Sequence, residues 1–309
     1  MKKTITTILA AILLFVAGFS ANQIVNSFNQ SPEVETDPFA KISTGVINVE
    51  NKNDTNKNNL IETVPEETEE VVIDMNTPSD RWYTVNKKTT GTISIEGLRD
   101  EPIVTNNTIN GQNEYLRKNI EGKQSQNGTL FTAYDAKLGV TNVTTVFGHS
   151  MKDGNMFGTL KNFKKLDYVK NNPTFTMSSL TSLYNLKIIA VADVSSNYKN
   201  SGWYYPQSTL NEEQFEDFKK EVRNRSYYVI PDEFDYASRY VILSCCDYAF
   251  NGERLIIVAR IMNENETVDT SSYVNNPVVL RANEFYKTYG YNKPNEDTLN
   301  ANRIANYGE

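Results

Sequence analysis

From Asp80 onward the chain is written in short runs with a period of two, and this period constrains its fold more than any other feature. "GTISIEGL" (Gly91–Leu98), "PIVTN" (Pro102–Asn106), "GTLFTAY" (Gly128–Tyr134), "VTTVFGH" (Val143–His149), "TFTM" (Thr174–Met177), "LYNLKIIAVADV" (Leu183–Val194), "YVILSCC" (Tyr240–Cys246) and "RLIIVARIM" (Arg254–Met262) are alternating or apolar runs bounded by turn residues. Such runs predict strands, because successive side chains leave a pleated backbone on opposite faces. Eight of them, with few helices between, predict a mainly β fold, a barrel or a sandwich. Two interruptions read as helical. "NMFGTLKNF" places Met156, Phe157 and Leu160 at helical spacing; "TLNEEQFEDFKKEVRNR" offers Thr209 and Glu212 as a capping box, with Phe215, Phe218 and Val222 as an apolar stripe. The second helix lies within a long connection between strands, which makes it an inserted lid or wall. The polar stretch 283–309 reads as a peripheral tail.

The rest of the chain divides by composition. Lys2 and Lys3 precede an apolar run from Thr4 to Phe19, which marks residues 1–25 as a membrane anchor or signal. The lysines belong on the cytoplasmic side, so everything after Ile24 is expected outside the cell. Residues 26–79 are rich in Asn, Glu and Thr, and residues 31–80 carry a net charge of −9. A stretch so poor in apolar groups cannot offset its ordering entropy, so a solvated stalk is expected there. Residues 81–309 are left with no net charge and no basic block. That argues against a nucleic-acid partner, whose phosphates call for a cationic face. The expected order is anchor, stalk, a catalytic domain over 80–282, and the tail.

Both cysteines, Cys245 and Cys246, stand side by side in "YVILSCCDYAF", and the only histidine, His149, lies about a hundred residues upstream. Adjacent Cα atoms are about 3.8 Å apart, below the usual disulfide range, so a bridge between them would be strained. On a strand the two thiols face opposite ways. Cys245 shares a face with Leu243 and Val241 and reads as a small core residue. Cys246, at the strand end with Ser244, is the candidate reactive thiol. A lone histidine is most simply a satisfied polar residue; beside an end-of-strand cysteine it becomes half of a Cys-His pair. Arg254 begins the next strand. It reads either as a solvated strand-end charge or as a fixed cation for an oxyanion.

The motifs "GTISIEGLRDEPIV", "NEYLRKNIEGKQSQNGTLFTAY", "TTVFGHSMKDGNMFGTLKNF", "VILSCCDYAF" and "RLIIVARI", in this order from about Trp82 to Met262, resemble the class B sortases, membrane-tethered cysteine transpeptidases of Gram-positive bacteria. The helix-bearing insertion before the cysteine strand points to class B in particular. The resemblance implies a closed sortase-type β-barrel with His149, Cys246 and Arg254 as catalytic residues, Ser244 and Cys245 in the substrate groove, and no metal or organic cofactor. It implies cleavage after Thr of a C-terminal sorting signal of LPxTG or NPxTN-like type, through a thioester, and transfer to an amine of a peptidoglycan precursor. A pilin-polymerising enzyme, a hydrolase releasing the peptide to water and a non-catalytic surface module are the alternatives. The sequence departs from the family at Cys245 and Ile242, where threonines are usual, and in "FGHS", where the family tends to "YGHN".

Overall fold

The computed structural model describes residues 77–105, 108, 113–196 and 207–309. These fall within one compact unit, Ile73–Glu309. The expected anchor over 1–25 and the stalk over 26–79, but for its last three residues, lie outside the described residues. Among the described residues no helix is long and apolar enough to cross a membrane.

All eight predicted runs are strands, and they close on themselves. β1 (Thr89–Ile95), β2 (Leu98–Val104), β3 (Leu130–Thr132), β4 (Val143–Phe147), β5 (Thr174–Ser179), β6 (Leu183–Ser195), β8 (Tyr240–Cys246) and β9 (Glu253–Ile261) form a barrel in the order β1-β2-β3-β4-β8-β9-β6-β5. Closure removes the exposed edges that a sandwich would leave. Two additional strands, β7 (Tyr228–Val229) and β10 (Val274–Asn275), make a separate two-stranded sheet; at two residues each they carry no readable period. Among the described residues five α-helices accompany the strands: α1 (Asp80–Val85), α2 (Leu166–Asn171), α3 (Glu212–Arg225), α4 (Asn283–Tyr289) and α5 (Glu296–Tyr307).

The alternation along β8 and β9 sorts the core into two layers. Val241, Leu243 and Cys245 on β8, with Leu255, Ile257 and Ala259 on β9, fill the barrel interior together with Ile93, Val146, Phe157 and Leu186. Tyr240 and Ile242, with Ile256 and Val258, face outward and are covered by Phe215, Phe218 and Val222 of α3. The inserted helix is therefore a wall over the outer face of the barrel. Its capping box is not the expected Thr209–Glu212 pair. Asn211 accepts from Gln214 N at 2.9 Å while the Gln214 side chain accepts from Asn211 N at 2.9 Å, so the helix starts later. Asn at the cap serves as well as Thr, and the stripe does not distinguish the two starts.

Two further expectations are corrected. Met156 is not helical. Its φ of 53° and its bridge to Ser150 make "NMF" a turn, and a 3-10 turn begins only at Leu160. Packing of Phe157 and Leu160 into the barrel, rather than helical continuity, explains the apolar spacing. The stretch 283–309 contains α4 and α5 and is docked. Leu299 is buried, Arg303 Nη1 donates to Asn224 Oδ1 at 2.5 Å, and Asn302 Nδ2 donates to Asn276 Oδ1 at 3.0 Å.

Candidate active site

β4 and β8 run parallel, pairing Val143 with Tyr240 and Phe147 with Ser244. The pairing continues one residue beyond the strand, where Gly148 N donates to Ser244 O at 3.1 Å. Extending that register by two residues sets His149 beside Cys246, on the face opposite the barrel interior. Gly148 itself points inward, where a Cβ would meet Leu130 Cδ2 at 2.4 Å and Phe157 Cδ2 at 2.7 Å. β8 and β9 are antiparallel, and their last pair is Cys246 with Arg254. Three strand ends thus bring an imidazole, a thiol and a guanidinium to one end of the outer face.

The contact between the last two is direct. Arg254 Nη1 donates to Cys246 Sγ at 3.0 Å and also to the Glu253 carbonyl at 3.2 Å. The contact sets a fixed positive charge against the sulfur. Cys246 is partly exposed, whereas Cys245, 2% exposed, lies in the interior and points its sulfur at Phe157 O at 3.8 Å. Burial pushes the Cys245 thiol up to about 12, so it stays protonated. Both thiols are free. A bridge between them would require turning one side chain through the strand.

His149 is half-buried, and its Nε2–H donates to the Leu116 carbonyl at 2.8 Å. Leu116 belongs to a 3-10 turn, Glu114–Arg117, held to the barrel by buried Tyr115, which clusters with Val104, Phe131 and partly buried Phe147. Gly128 lies against the same turn at φ 65°, where a Cβ would meet Leu116 O at 2.6 Å and Tyr115 O at 2.8 Å. The orienting carbonyl is main chain, so no side-chain motif announced it.

Of the five expected site residues, Cys246 and Arg254 are in contact and His149 lies on the adjoining strand end. Ser244 and Cys245, expected to line the groove, are each 2% exposed. With the wall as it stands, a peptide on the outer face meets neither side chain. Beneath the site lies a group of charges that the sequence did not mark. Carboxylate oxygens of Asp193, Asp247 and Glu253 come within 4.8 Å of one another, a spacing suited to a metal ion. Lys164 Nζ already lies among them, 3.1 Å from Asp193 Oδ1, 2.5 Å from Asp247 Oδ2 and 3.8 Å from Glu253 Oε1, so an ammonium supplies the cation.

The closed eight-stranded barrel, with Cys246, Arg254 and His149 at three adjoining strand ends, is the fold that the resemblance to sortases implies. The chain is similar to class B sortases in sequence and in fold. Sortase B of Listeria monocytogenes is 27% identical to it over 153 residues, 48% of this chain and 61% of that relative, so the match spans less than two thirds of the relative's length. The solved structure of that organism's sortase B matches with a TM-score of 0.50 at 26% identity, over 57% of this chain and 96% of the other. Clostridium perfringens sortase B shares the fold with a TM-score of 0.53 at 23% identity, over 59% of this chain and 98% of the other. A Staphylococcus aureus sortase B-substrate complex does so with a TM-score of 0.52 at 21% identity, over 60% of this chain and 85% of the other. No protein-family model matches the chain.

Proposed function

We propose that this chain is a cysteine transpeptidase of the cell surface, tethered by residues 1–25, that cleaves a sorting signal of LPxTG or NPxTN-like type after Thr and passes the protein to a peptidoglycan amine. The observation that carries the reading is the 3.0 Å contact between Arg254 Nη1 and Cys246 Sγ. As thiolate, Cys246 attacks the threonine carbonyl carbon, and the electron pair of the carbonyl moves onto oxygen. Arg254, beside the sulfur, stabilises that oxyanion. His149, as imidazolium, protonates the leaving amine as the C–N bond breaks; with Nε2 tied to Leu116 O, Nδ1 is the nitrogen free for this task. The thioester is then opened by an incoming amine, which gives up its proton to His149, and the thiolate returns. The uncharged balance of residues 81–309 suits a neutral peptide rather than a polyanion.

A library of threonine-containing sorting peptides, incubated with the full chain with and without oligoglycine, tests the reading. Cleavage after Thr with ligated product in the presence of the amine is expected; release to water alone makes the enzyme a hydrolase, and ligation only to a peptidyl lysine makes it a pilin polymerase. Absence of cleavage across the library would leave a binding module.

A further inference from the structure

Glu253 opens β9 immediately before Arg254 and is fully buried at the inner end of the barrel. It holds the β8–β9 loop at several points. Its carbonyl accepts from Asp247 N at 3.2 Å, its N–H donates to Phe250 O at 3.2 Å, and its Oε2 accepts from Ala249 N. The same carbonyl accepts from Arg254 Nη1, the nitrogen that also donates to Cys246 Sγ. Glu253 and the sulfur therefore share one donor.

The groups facing Glu253 come from every neighbouring element. Asp193 lies on β6, Lys164 ends the 3-10 turn after Leu160, Asp247 follows β8, and Arg281 precedes α4 with its Nη2 2.6 Å from Asp193 Oδ2. Tyr228 donates its hydroxyl to Phe163 O, and burial pushes this phenol up to about 12, so it is neutral. Lys164 stays charged: burial opposes its charge, but the carboxylates around it, Asp193 and Asp247 foremost, outweigh that. Among the described residues Lys164 and Arg281 thus face three carboxylates, and Lys164 lies nearer Asp193 and Asp247 than Glu253, so two positive charges meet up to three negative ones. Asp193 Oδ1 and Glu253 Oε1 are both buried with no hydrogen bond of good geometry, although the two side chains face each other. A proton on Glu253 supplies the missing donor, and burying the neutral acid avoids the cost of an unpaired charge.

We propose that Glu253 is a positioning residue: as a neutral acid donating to Asp193 it fixes the loop after Cys246 and sets the Arg254 guanidinium on the sulfur, and losing its proton releases that hold. This rests on the reading of Cys246 as nucleophile with Arg254 as its partner. Burial first, and the Asp193 charge second, raise the Glu253 carboxyl to about 7. Because this lies above the ordinary carboxyl range, the contribution to stability is complete in acid and is lost as the pH rises to about 7. Above neutrality two buried carboxylates repel at the root of the loop.

The test is the rate of iodoacetamide alkylation at Cys246 in the full chain, followed by peptide mass mapping across about pH 5.5 to 8.5, for wild type and Glu253→Gln. Gln keeps an oxygen for Ala249 N–H and an N–H for Asp193, and cannot ionise. The rate ratio of the two proteins removes the pH dependence they share and leaves the part that ionisation of Glu253 adds. We expect rates within about twofold near pH 6 and a wild-type rate about fivefold below the variant well above pH 7, as a nearby buried charge disfavours the thiolate. A ratio that does not change with pH overturns the proposal. If Glu253→Gln does not fold, Asp193→Asn replaces it: removing that charge should move the wild-type decline to lower pH, and an unmoved midpoint overturns the proposal equally. Alkylation needs no sorting peptide, so a chain that alkylates as expected yet cleaves nothing refutes transpeptidation and leaves the role of Glu253 standing.

Discussion

Cys245 and Cys246 are neighbours on one strand and occupy two different solvents. The inner thiol packs among Val241, Leu243 and Leu255, and burial pushes it up to about 12. The outer one is partly exposed with a guanidinium at 3.0 Å. The same contrast holds for the whole end of the barrel: His149, Cys246 and Arg254 on the outer face, Lys164, Asp193 and Glu253 on the inner. Residue type alone does not set reactivity here; the side of the wall does.

The most direct way to break this comparison is to remove each thiol in turn. Cys246→Ala should abolish cleavage of a sorting peptide, while Cys245→Ala should keep a measurable fraction of it and lose some stability through the cavity left behind. Equal residual rates would erase the distinction between the faces. Next come the partners on the outer face: His149→Ala and Arg254→Ala should each lower kcat/KM about a hundredfold or more, and a loss under about threefold would remove that residue from the mechanism. A gentler perturbation sharpens the role of the imidazole. Gly128→Ala places a methyl against Leu116 O, shifting the acceptor that orients His149, and should lower kcat by about tenfold with little change in KM. An unchanged kcat would make the Leu116 contact incidental. The smallest effect is expected far from the site. Asn211→Ala should cost about 1 kcal/mol in urea unfolding and Thr209→Ala only a few tenths, since Asn211 caps α3.

The barrel was legible because its strands keep a period of two for five residues or more, or end at recognisable turns such as Glu96-Gly97. The closing order was not legible. It depends on β4 finding β8 across a long connection, and no local pattern encodes a partner. α4 and α5 went unseen because their docking uses Arg303 and Asn302, polar residues that hydropathy assigns to the surface. Cys246 and Arg254 could be singled out from strand ends and alternation. Asp193, Glu253 and Lys164 could not, since a buried ion cluster reads as solvated charge until the fold supplies its partners. The Leu116 carbonyl left no sequence signal at all.

Because β4 and β8 pair in parallel across a long connection, the imidazole and the sulfur are strangers in any chain in which that pairing has not formed. Heightened thiol reactivity should then appear together with the pairing of β4 and β8. Until then the thiol stays dormant, protected from premature modification by an unfinished topology.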